Sequence, residues 1–129
     1  METTDYCNYQ LSLALKAAGF DELTNSFYDE ASVEHGEFEI VPTYAKFNEV
    51  CKTPGCECVA APTLAHAQKW LREKHHISVR VSYISYHKVW FADWLNLDSG
   101  EFDDTDTTFD SYEQALSAGI KLCVENLLK

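Results

Sequence analysis

No apolar run in this sequence approaches the roughly 18 to 20 residues that cross a bilayer, and prolines and glycines are scarce, at three and five. The short texts that carry common chemistries are missing as well. There is no G-x-x-x-x-G-K-[ST], G-x-G-x-x-G, G-x-S-x-G or H-E-x-x-H, which removes the sequence-local signatures of phosphate cradles, dinucleotide binding, serine hydrolysis and zinc proteolysis. An enzyme is therefore the less favoured class, and no cofactor is implied. The opening Met1-Glu2-Thr3-Thr4-Asp5 lacks the basic start and apolar stretch of a signal peptide. The expected location is cytoplasmic, with no membrane partner.

Basic residues are also in short supply. Ten Lys and Arg stand against 21 Asp and Glu, a net charge of −11, which opposes the counterion release that gives most nucleic-acid binders their affinity. The imbalance is uneven along the chain. Residues 61–90 hold five bases, Lys69, Arg72, Lys74, Arg80 and Lys88, against the single acid Glu73, together with four of the five histidines. These five bases are the candidate binding residues for phosphate or an acidic partner, set against the plainer reading of a solvated helix and strand. Five cysteines, an odd number without an export signal, point to reduced thiols instead of a disulfide framework.

What remains is enough for a core. With 129 residues and 46% hydrophobic composition, the chain is expected to fold as one compact α+β domain, residues 1–129. Tyr6 to Ala18 reads as a helix with Thr4 or Asp5 as N-cap, and Gly19-Phe20 closes it as a Schellman motif. Residues 21–60 show only weak alternation, consistent with one or two short strands, a turn at Lys52-Thr53-Pro54-Gly55 and a strand at Cys58 to Ala60. Thr63 can cap a helix from Leu64 to about His75 whose apolar face is Leu64, Ala67 and Leu71, flanked by Trp70. Ile77 to Tyr86 then alternates with period two, and a second strand from Val89 to Leu97 makes an antiparallel hairpin around Tyr86-His87-Lys88. An acidic loop over 98–110 carries a short third strand near Glu101-Phe102. Ser111 and Gln114 open a last helix with the stripe Tyr112, Leu116, Ile120, Cys123 and Leu127. The architecture expected is an N-terminal helix followed by an α-β-β-(β)-α module with an antiparallel sheet.

Three phrases in this text are distinctive: Leu15-Lys16-Ala17-Ala18-Gly19-Phe20-Asp21-Glu22, then Ala61-Pro62-Thr63-Leu64 with Gln68-Lys69-Trp70-Leu71-Arg72-Glu73, then Asp110-Ser111-Tyr112-Glu113-Gln114-Ala115-Leu116. Taken in this order they resemble a family of short proteins encoded in phages and prophages of gut bacteria, and the resemblance spans most of the chain. It implies a phage-related origin and supplies no catalytic residues. The stretch Lys74-His75-His76-Ile77 and the cysteines between 51 and 58 depart from the family's text.

Several side-chain groups invite chemistry. Cys51, Cys56 and Cys58, spaced C-x4-C-x-C, with His66 or His35 as a fourth ligand, are weak candidates for zinc, because the C-x2-C pairs of structural zinc sites are absent. The acidic loop lacks the glycine and glutamate an EF-hand needs. Trp90 and Trp94, four apart on a strand, share a face and are expected in the core with Trp70. Three classes of function follow. The leading one is a phage-related accessory protein that binds another protein, in one version an acidic inhibitor of a host DNA-binding or defence protein. The alternative is an RNA- or DNA-binding module, since α-β-β-(β)-α is the order of double-stranded-RNA-binding domains. The third is a small hydrolase or metal-dependent enzyme using the histidines and the acidic loop. Self-association stays open.

Overall fold

A computed structural model describes residues 5–29, 37–50 and 58–128. The protein is α+β with antiparallel sheets, and by its contacts the chain divides into two compact units, Met1–Thr63 and Leu64–Lys129.

In the first unit, helix α1 spans Tyr9–Ala17, strands β1, β2 and β3 span Thr24–Asp29, Glu37–Ala45 and Cys58–Ala60, and a single helical turn, α2, covers Phe47–Val50. Helix α1 starts later than the sequence suggests. Asn8 is the N-cap, its Oδ1 accepting from the Leu11 N–H at 2.8 Å, while Tyr6 is drawn into a bridge with Thr63. Asp5 does not take the cap, because the chain between it and the helix pairs with a distant segment; Thr4, the other expected cap, lies outside the described residues. The expected closure at the other end is present. The Phe20 N–H donates to Leu15 O and the Gly19 N–H to Lys16 O, with Gly19 at φ +97°, the bond pair that defines a Schellman motif.

Strand β1 is central in the order β2-β1-β3, antiparallel to both neighbours. Thr24 faces Ala45 while Ser26 faces Ile40, so two steps on β1 are matched by five on β2. This bulge contains Pro42, a residue with no N–H to give a ladder. Hydroxyls tie the unit together: the buried Ser26 Oγ donates to Ala61 O, Thr24 Oγ1 to Ser26 O and Ser12 Oγ to Cys7 O, which also accepts from the half-buried Tyr28 OH. Asn48 clamps two segments, donating to Phe20 O and accepting from the Ala60 N–H, each at 2.8 Å.

The second unit is α3 (Leu64–Lys74), β4 (Ile77–Ile84), β5 (Val89–Asn96), β6 (Phe102–Asp104) and α4 (Tyr112–Leu127). This is the α-β-β-β-α order read from the sequence, with the third strand present. The sheet runs β4-β5-β6, antiparallel throughout. Facing pairs Val79 and Trp94, Val81 and Ala92, and Tyr83 and Trp90 define one face, against which α4 packs. The approach is close at Gly119, where an added Cβ would stand 2.7 Å from Ala92 Cβ and 3.0 Å from Val79 Cγ1. Helix α3 lies along β4 and beside α4, burying Leu64, Ala67, Trp70 and Leu71. Ser111 caps α4, its Oγ accepting from the Gln114 N–H at 3.1 Å. The β4–β5 connection is the four residues 85–88, with Lys88 at φ +56° supplying the left-handed position that an Asn-Gly turn would otherwise provide. No helix among the described residues is long and apolar enough to cross a membrane.

Candidate interaction surface

Alternation along β4 and β5 places Tyr83 and Trp90 opposite one another on the helix-bearing face. Helix α4 begins only at Tyr112, so the end of this face nearest the hairpin is not covered as its middle is. Ile77, Val79, Ala92 and Trp94 are buried, whereas Tyr83 is 49% exposed and Tyr112 41%. Trp90, half-buried, joins the two tyrosines: its ring lies 4.7 Å from Tyr83 and 5.5 Å, edge to face, from Tyr112. Its backbone is held by paired hydrogen bonds with Phe109, both 2.8 Å. At the hairpin tip, Tyr86, 90% exposed, packs edge-on against His87. The result is a row of aromatic rings on a rigid strand pair and a capped helix start. Sequence reasoning assigned Trp90 to the core with Trp70 and Trp94. Trp90 does share a face with Trp94, but how far that face is covered is decided by the start of α4 in space.

The five candidate bases do not form one patch. Lys69, Arg72 and Lys74 are exposed on α3, and Lys69 pairs with Glu73 at 3.7 Å. Arg80 projects from the opposite face of the sheet, its Nε 2.9 Å from Asp93 Oδ1. Lys88 sits in the hairpin, beyond the far end of β4 from Lys74, and the seven steps from Ile77 to Ile84 span about 23 Å.

The acids between β5 and α4 are largely occupied with their own turns. Asp103 Oδ1 accepts from the Asp104 N–H and Asp104 Oδ1 from the Asp106 N–H, while Asn96 Oδ1 accepts from the N–H groups of Asp98 and Ser99. The histidines are dispersed. His75 lies edge-on to Trp70, and His76, at φ +55°, is 3.0 Å from Asp98 on the surface. Of the zinc candidates, Cys51, Cys56 and His35 lie outside the described residues. Cys58 is buried in β3 with Sγ 3.7 Å from Phe47 O, and His66 is half-buried on α3 of the other unit. Among the described residues no three His, Cys, Asp or Glu side chains gather where they could hold a metal ion. Buried Cys7 and Cys123 have their thiols pushed up by desolvation, that of Cys123 to about 12, the opposite of a nucleophile's shift. No protein-family model, curated protein or solved structure matches this chain.

Proposed function

We propose that this is a phage- or prophage-related accessory protein that works by binding another protein, and that the ring row Tyr83, Trp90 and Tyr112 is the surface it uses. The partly exposed, mutually packed aromatics carry the reading. Tyrosine and tryptophan dominate interface hot spots because they bring large contact area with few rotatable bonds, and here they stand on a scaffold already fixed by backbone pairing to Phe109 and by the Ser111 cap. The charge of −11 suits a protein partner better than a polyphosphate one.

Affinity capture from host lysate with tagged wild-type protein and with Trp90→Ala tests it. The expected result is one stoichiometric protein retained by the first and lost from the second, with the circular dichroism of the variant unchanged. Equal recovery with both would remove the aromatic surface from the proposal. Release of that protein by salt would support the acidic-inhibitor version. The order α3-β4-β5-β6-α4 favours a second reading, nucleic-acid binding, against which stand the ion-paired Arg80 and the Asp110 and Glu113 at the start of α4. Nuclease-sensitive material in the captured fraction would promote it.

A further inference from the structure

Among the described residues strand β4 is an edge of its sheet, with β5 as its one neighbouring strand. His76 O accepts from the Leu97 N–H, so even-numbered residues turn their backbone groups toward β5, and Ile77, Val79, Val81 and Tyr83 turn theirs outward. Gln68, on α3, already meets one of them, its Nε2 donating to Val79 O at 2.8 Å. The outward N–H and C=O of Val81 and Tyr83 have no partner among the described residues. The other edge is protected differently. Strand β6 is three residues long, fully exposed and carries Asp103 and Asp104, a short charged edge of the kind that repels an added strand. Strand β4 has eight residues, and its one charge, Arg80, is committed to Asp93 on the outer face.

We propose that the β4 edge accepts an extended acidic segment of a partner protein as a fourth strand, hydrogen-bonded to Val81 and Tyr83. This rests on the protein-binding reading above and specifies the form of the partner. Charge selects the occupant. Arg72 lies one turn beyond Gln68 on the same side of α3, and Lys88 stands at the hairpin end; both are exposed, without an ion pair among the described residues. A second copy is disfavoured by the same charges. Antiparallel pairing of two β4 strands about Ser82 would set Lys88 of each opposite His76 of the other, whose ring is already engaged by Asp98, and bring it toward Arg72 and Lys74, where like charges across strands destabilise. An added segment also presents alternate side chains beside the Tyr83 ring, so it should alternate acidic with apolar residues.

A displayed library of random dodecapeptides, selected on the full-length protein, supplies the probe. Enriched peptides are expected to alternate Asp or Glu with Val, Ile or aromatic residues, and to slow hydrogen exchange at the Val81 and Tyr83 amides. N-methylation of the peptide residues that face the edge should weaken binding roughly tenfold, because each lost donor strands a carbonyl of β4, whereas methylation of the intervening residues should change it by less than about threefold. Arg72→Glu should also weaken it, with no change to the protein's own fold. Equal sensitivity to both methylation sets, enrichment of basic peptides, displacement by a twelve-residue oligothymidylate, or concentration-dependent dimerisation that masks the edge would each overturn the proposal. If lysate capture depends on Trp90 but no peptide shows the methylation pattern, strand addition falls and the aromatic surface stands. If neither responds, both fall.

Discussion

At the scale of single residues, Gly119 has the most exacting position. It sits in the middle of α4, where glycine costs helix stability relative to alanine by about 1 kcal/mol, yet its missing Cβ is what lets the helix approach Val79 and Ala92. The two effects oppose each other and the geometry decides between them. A Cβ at 2.7 Å from Ala92 Cβ must push either the helix or the central strand, and overpacking of a tight core typically costs about 1 to 3 kcal/mol. Gly119→Ala is therefore expected to lower the urea midpoint despite its better helix propensity. A midpoint raised by the substitution would show that α4 can lift from the sheet freely. Gly19 is the contrasting case: its φ of +97° closes α1 and nothing lies within 4 Å of where a Cβ would be, so there alanine is disfavoured by backbone strain alone.

At the scale of elements, the second unit was read almost in full from local signals, and the first was not. The period-two alternation from Ile77, the S-x-x-Q phrase at Ser111 and the apolar stripe of α4 each lie within one element, so each announced itself; the sheet and both helices follow. The first unit depends on distant pairing. Strand β1 finds partners at Glu37–Ala45 and Cys58–Ala60, the bulge around Pro42 hides the alternation of β2, and the cap moved to Asn8 because Tyr6 pairs with Thr63. Asn8 is a good N-cap in its own right, but nothing local encodes the pairings. The candidate surface was half legible: parity put Trp90 and Trp94 on one face, but coverage of that face depends on where α4 starts in space. The cap that fixes this start is testable. Ser111→Ala removes the acceptor for the Gln114 N–H and should cost about 1 kcal/mol. If the cap also holds Tyr112 against Trp90, the change should shift tryptophan emission of the native state. A variant with unchanged midpoint would mean that water replaces the hydroxyl without loss.

At the scale of the whole molecule, each unit holds a thiol shut away from solvent: Cys7 in the first, 0% exposed, and Cys123 in the second, 1% exposed. Desolvation disfavours the thiolate in both, pushing Cys123 up to about 12 from an ordinary value near 9 and Cys7 in the same direction. Burial likewise raises Tyr28, helped by the nearby Cys7. The consequence for stability has a definite sign. The folded state keeps protons that the unfolded chain releases, so the contribution is complete below about pH 9 and is lost as pH climbs toward 12. Within that window each such thiol should remove about 1.4 kcal/mol per pH unit. All three tryptophans, Trp70, Trp90 and Trp94, belong to the second unit, which makes their fluorescence a selective reporter on the unit that contains Cys123. Urea midpoints followed by tryptophan emission should fall between pH 9 and 10.5, and the fall should be shallower in Cys123→Ala, whatever its baseline stability, because lysines and tyrosines titrate equally in both proteins and only the thiol differs. Parallel slopes for the two proteins would place Cys123 within reach of water, against its burial on α4 among Leu116, Ile120 and Val124, which are themselves buried.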